Sequence, residues 1–94
     1  MPVRVQIPAS MRPLTGGAAE LEADAGSVAA LIETLGARYP GIRDRLCEGD
    51  GELRRYVRVF VNEEDVRFLR DRETPLASGD TVAIVPAVAG GSSL

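Results

Sequence analysis

The chain holds no histidine and no lysine, and its one cysteine is Cys47. Each absence removes a class of chemistry. Without histidine there is no usual general base near neutral pH and no Ser-His or Cys-His nucleophile pair. A lone cysteine excludes a four-cysteine zinc or iron–sulfur site within one chain, and any disulfide framework. With no histidine or lysine nearby in the sequence to lower its pKa, Cys47 reads as incidental. No glycine-rich phosphate loop followed by a lysine occurs either. The residues for autonomous catalysis are largely missing, so no catalytic residue, metal site or bound cofactor is assigned. The chemistry is expected to be done by another protein.

All eleven positive residues are arginine. Lacking a lysine amine, the chain cannot build side-chain isopeptide polymers with itself. A net charge of -3 is not a nucleic-acid footprint, for which a basic stripe would be expected first. No apolar run approaches the ~18 residues needed to span a bilayer, and the N-terminus lacks a signal-peptide pattern. A cytoplasmic protein with no membrane partner is the expectation. At 94 residues, 45% hydrophobic and 27% charged, the sequence suits one soluble domain with a single modest core.

What is present has clear periodicities. Val3-Arg4-Val5-Gln6-Ile7 alternates apolar and polar, the pattern of a strand with one buried face. Pro8 closes it, and residues 8–17 read as a loop. Glu20-Leu21-Glu22-Ala23 forms a shorter strand with Leu21 and Ala23 turned inward. Ser27 is a helix N-cap. Behind it Val28, Leu31, Ile32, Leu35 and Tyr39 fall on one face of an amphipathic helix that Pro40-Gly41 stops. Gly36 weakens the last turn by about 1 kcal/mol relative to alanine. Ile42 to Leu46 forms one short turn, with Ile42 and Leu46 inward.

Val57 to Val61 is the strongest strand, with its three valines facing the helix and Arg58 and Phe60 facing away. Asn62 to Asp65 supplies turn chemistry, and Val66-Arg67-Phe68 returns as a strand. Asp71 to Ala77 is a short irregular or 3₁₀ segment anchored by Leu76, and Ser78-Gly79-Asp80 turns into the strand Thr81 to Val85. Arg67, Arg70 and Arg72 read as a solvated face. The order strand, strand, helix, strand, strand, strand predicts an α+β domain. One main helix lies across one face of a mixed sheet of four to five strands.

Beyond the last strand the sequence thins. Pro86 fixes its own φ and lacks a donor N–H, which ends regular pairing. Ala87, Val88 and Ala89 are short, and Gly90 and Gly91 carry no side chain. Six extended residues at about 3.3 Å each reach roughly 20 Å, which suits a narrow arm entering a partner's active site. A carrier whose reactive atom is a glycine carboxyl would look like this. So would a frayed tail with no purpose, and composition alone leaves both open. The expected organisation is a domain over 1–85, an arm over 86–91, and an extension over 92–94.

The segments RPLTGG (12–17), VFVNEEDVRF (59–68) and SGDTVAIVPAVAGG (78–91), with the helix beginning at Ser27, resemble the ThiS/MoaD family of ubiquitin-like β-grasp sulfur carriers. The similarity covers nearly all of residues 3–91 and is greatest to the CysO-type carriers of cysteine biosynthesis. The resemblance implies that a ThiF/MoeB-like activating enzyme uses MgATP to adenylate the carboxylate of Gly91, with Gly90 before it. Sulfur transfer then yields a thiocarboxylate. It also implies a cysteine-synthase-like partner holding an aminoacrylate on pyridoxal phosphate. An acyl shift would leave cysteine attached to Gly91, to be released by a JAMM-type zinc metalloprotease.

Family members ready for activation end at the second glycine, whereas here Ser92-Ser93-Leu94 follow. Adenylation at Gly91 then requires cleavage between Gly91 and Ser92, unless the last three residues are a cloning scar. Phe60 and Val85, with Arg58 and Arg4, are expected on the open sheet face as an apolar docking patch with a cationic rim. Thiamin, molybdopterin or secondary-metabolite synthesis would use the same carrier chemistry. A β-grasp binding module or protein modifier with no sulfur chemistry would keep the fold and the patch.

Overall fold

Alternation of apolar and polar residues builds the sheet. The computed structural model describes residues 2–49, 52–54 and 57–86. Within it β1 (Val3–Gln6) buries Val3 and Val5 and exposes Arg4 and Gln6. β3 (Val57–Val61) buries its three valines in the same way. β2 (Glu20–Ala23) turns Ala23 inward and half-buries Leu21. β5 (Thr81–Pro86) contributes Val82 and Ile84 to the core and runs one residue past the expected end, with Pro86 opposite Val57. The five strands lie in the order β2-β1-β5-β3-β4, where β4 is Glu64–Asp65. β5 is central, parallel to β1 and antiparallel to β3.

One face of this sheet is covered. α1 (Val28–Arg38) begins where the Ser27 hydroxyl accepts the Ala30 amide at 3.1 Å, and it buries Val28, Leu31, Ile32 and Leu35. These join the inward residues of the strands in one apolar cluster. A mixed sheet with a helix laid across one face in this strand order is the ubiquitin-like β-grasp, as the resemblance implied.

Three expectations are modified by the structure. The short turn expected at Ile42 to Leu46 is a second helix, α2 (Pro40–Leu46), with Pro40 at its first position and Ile42 and Leu46 buried. Proline is well suited there because the first amides of a helix have no partner to lose. Gly36 does more than weaken α1. A Cβ at this position would sit 3.1 Å from the Arg43 Cβ, and one at Gly41 only 2.9 Å from a Leu14 methyl. The two glycines let α2 lie close to α1 and to the 9–15 segment. That segment, read as a loop, is a 3₁₀ turn over Ala9–Thr15 which buries Met11 and Thr15. The buried Thr15 hydroxyl is satisfied by the carbonyls of Arg12 (3.1 Å) and Ala18 (3.0 Å).

The return strand is also displaced. Asn62 and Glu63 both adopt positive φ, 50° and 75°, the mirror-image turn that matches the twist of a hairpin. Pairing therefore resumes at once, Val61 with Glu64 and Phe60 with Asp65. It stops two residues later because the Asp65 carboxylate accepts the Arg67 amide at 2.9 Å and caps a 3₁₀ turn over Val66–Phe68. The edge of β3 beyond β4 is closed by a side chain instead. Arg67 Nη2 donates to the carbonyls of Val57 (2.9 Å) and Arg54 (3.1 Å). Arg67 thus does structural work that a solvated face would not. Arg72 pairs with Glu52 at 2.6 Å. The 3₁₀ turn Asp71–Glu73 and the buried Leu76 follow the expected pattern.

Truncating Ile84, 4% exposed on the central strand, tests the packing. Ile84→Ala should lower the unfolding free energy by about 2–5 kcal/mol. Ser27→Ala, which removes only the cap, should cost about 1 kcal/mol. Urea titrations of both variants measure the difference.

Candidate functional site

The uncovered face of the sheet is where strand alternation leaves side chains with nothing above them. Registry places Gln6, Ala83 and Phe60 in one row across β1, β5 and β3. The small Ala83 between two longer neighbours makes the row concave. A depression of about 590 Å³ results, lined by Gln6, Phe60, Asn62, Glu63, Thr81 and Ala83. Val85 lies opposite Arg58 in the next row and is 43% exposed.

Phe60, Val85 and Arg58 are therefore adjacent on the open face. Arg4 shares that face but stands two strands from β3, roughly 10 Å away by strand spacing, opposite Thr81. The cationic rim is also partly neutralised. Arg4 pairs with Glu20 at 3.7 Å, and Arg58 approaches the buried Asp65 at 3.8 Å. Because Asp65 sits directly across from Phe60, the β4 edge of the face is acidic.

One end of the depression is built from turn chemistry. The Asn62 side chain donates to Asp80 Oδ1 at 2.9 Å and accepts the Thr81 amide at 3.0 Å, while its own amide donates to the Thr81 carbonyl. The other Asp80 oxygen accepts the Ala77 amide at 2.9 Å. These bonds tie the β3–β4 turn to the start of β5. The Ala77 amide first, and then the Asn62 side chain, hold the Asp80 carboxyl below its ordinary value.

Phe68 was not singled out, because as part of a strand it would have been one residue among an alternating set. The cap by Asp65 turns it out instead, and it is 86% exposed. The signal available in the sequence was an aspartate three residues ahead of it, which favours a capped turn over continued pairing. Cys47 is buried, and burial pushes its thiol up despite Arg43, Arg72 and Arg54 nearby. It stays a protonated, poor nucleophile. Among the described residues no three acidic or cysteine side chains gather in a group that could hold a metal ion. Among them, too, no helix is long and apolar enough to cross a membrane.

Pro86 ends β5, the strand held on both edges. Ala87, Val88, Ala89, Gly90, Gly91 and Ser92, the expected arm, reacting glycine and cleavage point, lie outside the described residues.

Comparison with known proteins bears on the whole chain. Residues 5–91 match the ThiS family. The chain is 46% identical over 93 residues to "Sulfur carrier protein CysO" of Mycobacterium tuberculosis, covering 97% of this chain and all of that one. It is 40% identical over 68 residues to "Small archaeal modifier protein 3" of Haloferax volcanii, 72% of this chain and 73% of that one. A chain in the crystal structure of the Amycolatopsis orientalis BexX/CysO complex superposes with a TM-score of 0.89 at 43% identity, covering 95% and 99% of the two chains.

The Asp80 bonds predict a sign for acid sensitivity. Its folded pKa is depressed, so its contribution is complete above the unfolded value of about 3.9 and is lost as pH falls through the folded value. Asp80→Asn should be less stable than the parent near neutral pH. The gap between them should narrow as the pH drops below the unfolded value and through the folded one, read as converging urea midpoints.

Proposed function

The chain belongs to the ThiS family, and on that premise we propose that it is a sulfur carrier protein acted on by partner enzymes. Its working group is the carboxylate of Gly91, exposed by cleavage before Ser92. The observation that carries the reading is that the ThiS match runs to Gly91 itself. The near-full-length identity to a protein named as a sulfur carrier supports it.

A carboxylate is a poor electrophile until one oxygen becomes a good leaving group. A ThiF/MoeB-like activating enzyme with MgATP would supply that. A Gly91 carboxylate oxygen attacks the α-phosphorus, pyrophosphate leaves, and an acyl-adenylate forms. A sulfur nucleophile at the sulfide level then attacks the acyl carbon and AMP departs, leaving the thiocarboxylate. The crevice needed to exclude water leaves no room for a side chain at 90 or 91, which is why both positions suit glycine. Phe60 and Val85, with Arg58 and Arg4 at the margins, are the docking face in this reading. The arm would be rooted on β5, the central strand, whose last residues Ile84 to Pro86 are paired to β3.

Cysteine synthesis is the destination we favour, on the similarity to CysO. The thiocarboxylate would meet an aminoacrylate on a cysteine-synthase-like enzyme with pyridoxal phosphate. A JAMM-type zinc metalloprotease would release the product and also make the initial cut after Gly91. The likeness to an archaeal protein named as a modifier keeps a second reading, in which Gly91 is joined to an amine on another protein. The lysine-free sequence offers no side-chain amine of its own, so such conjugates would not extend into chains.

Intact mass of the protein from its native host decides between these. A species ending at Gly91, heavier than the free acid by the difference between sulfur and oxygen, is the expected result. Finding only the full chain through Leu94 under high sulfur demand would overturn the proposal. Gly91→Trp should abolish thiocarboxylate formation yet leave binding to the activating enzyme intact, checked by mass spectrometry and by a pull-down with that enzyme.

A further inference from the structure

The sequence has two phenylalanines, and the fold brings both to one groove. This groove, about 330 Å³, is lined by Arg58, Phe60, Glu63, Glu64, Asp65 and Phe68. It lies at the β4 edge, beside the depression centred on Ala83. An exposed aromatic residue alone is ordinary on a protein surface. Two facing a common groove, one of them 86% exposed, are a built apolar feature. Both are held from behind. Phe60 is fixed by pairing with Ala83 and Asp65. Phe68 is fixed by the cap from Asp65 and by the bonds that Arg67 makes to β3 and to Arg54. The backbone on both sides of the groove is fixed before any partner arrives, and the exposed Phe68 ring is ordered on binding.

Charge selects the occupant. One arginine stands against the carboxylates of Asp65 and Glu63, which leaves one negative charge in excess, while Glu64, opposite Val61, belongs to the other face of the hairpin. Arg58 is committed to Asp65. Glu63 is exposed and has no ion-pair partner among the described residues. Aromatic faces present negative potential to a cation above them. Aromatic walls with a free carboxylate beside them are complementary to a flat, weakly hydrated cation that can stack and donate at once. That describes a guanidinium better than a compact ammonium.

We propose that the Phe60–Phe68 groove receives an arginine side chain of a partner protein, held between the aromatic rings and paired to Glu63. The site is separate from the Gly91 chemistry and does not depend on it. It adds a charged specificity contact at one edge of the open sheet face, where a partner with an acidic loop would be repelled.

The test uses the ¹⁵N-labelled full chain and two capped peptides, acetyl-Leu-Arg-Leu-amide and the same peptide with citrulline, which keeps the shape and loses the charge. Saturable shifts at millimolar arginine peptide, confined to the amides of Arg58, Phe60 and Glu63 to Phe68, are expected. Phe68→Leu keeps apolar bulk but removes the ring, and should weaken binding roughly two- to fivefold. Glu63→Gln should weaken it and flatten its dependence on salt. Equal binding of the citrulline peptide would mean purely apolar contact and overturn the proposal. So would shifts at these residues that follow protein concentration alone, the mark of a second copy, or the absence of any saturable shift.

Discussion

The pairing of β5 on both edges is the constraint on which the rest depends. Five of its six residues have partners on β3 between Val57 and Val61, counted from Val82 to Pro86, and Thr81 to Ala83 meet β1 on the other side. Its period-two side chains then have only two places to go. Val82 and Ile84 must enter the core beneath α1, and Ala83 and Val85 must stand on the open face. One strand therefore fixes the helix-bearing side, the open side and the root of the residues that follow. A slip of one residue would exchange the faces and place valine and isoleucine in water. That is why the apolar run from 81 to 85 tolerates so little ambiguity.

The second constraint is polar and local. A central strand must be started and stopped in register, and here the Asn62 and Asp80 side chains set the start. They bridge two turns that are far apart in sequence but meet at the end of β5. Asp65 plays the opposite part by ending β4 after two residues. Short polar side chains are able to do this because they offer the backbone an alternative to the ladder. The edge that remains on β3 is closed by a guanidinium, which removes pairing groups that could otherwise recruit another chain.

Legibility in the sequence follows from the range of the interactions. β1, β3, β5 and α1 could be read because their signal is periodic burial, repeated every two residues or at helical spacing and reinforced by each turn of the pattern. The Ser27 cap was readable for a related reason, since its single bond lies within three residues. What escaped was decided by contacts across the fold. Whether Asp65 would continue a strand or cap a turn depended on the positive φ of Asn62 and Glu63, three and two positions earlier. The value of Gly36 and Gly41 depended on Arg43 and Leu14 being close in space. Arg67 looked like every other surface arginine until the carbonyls of β3 came within its reach. On the open face, Phe60, Val85 and Arg58 could be placed by parity alone. Parity could not tell that Arg4 stands at the far side, or that Arg4 and Arg58 are both offset by carboxylates.

This division explains how a small domain without histidine or lysine can still be specific. Without histidine or lysine the chain lacks the usual general base near neutral pH and any side-chain amine, so shape and charge are the main features it can offer a partner. Two surfaces are available for that purpose, and they differ in character. The row Gln6–Ala83–Phe60 is concave and mixed, suited to a broad apolar contact. The groove at the β4 edge is narrow, aromatic and anionic. Burial of the first supplies area, and most area in an interface carries modest energy. In the proposed role the second places an aromatic anchor and a carboxylate without an ion-pair partner among the described residues at one margin, where a mismatched charge costs far more than a matched one gains. Members of a family that share the sheet and the paired glycines can thus diverge in partner choice through a few residues of one turn. In the arginine contact proposed for this chain those residues would be Glu63 and Phe68, which follow from the Asn62–Glu63 turn and the Asp65 cap.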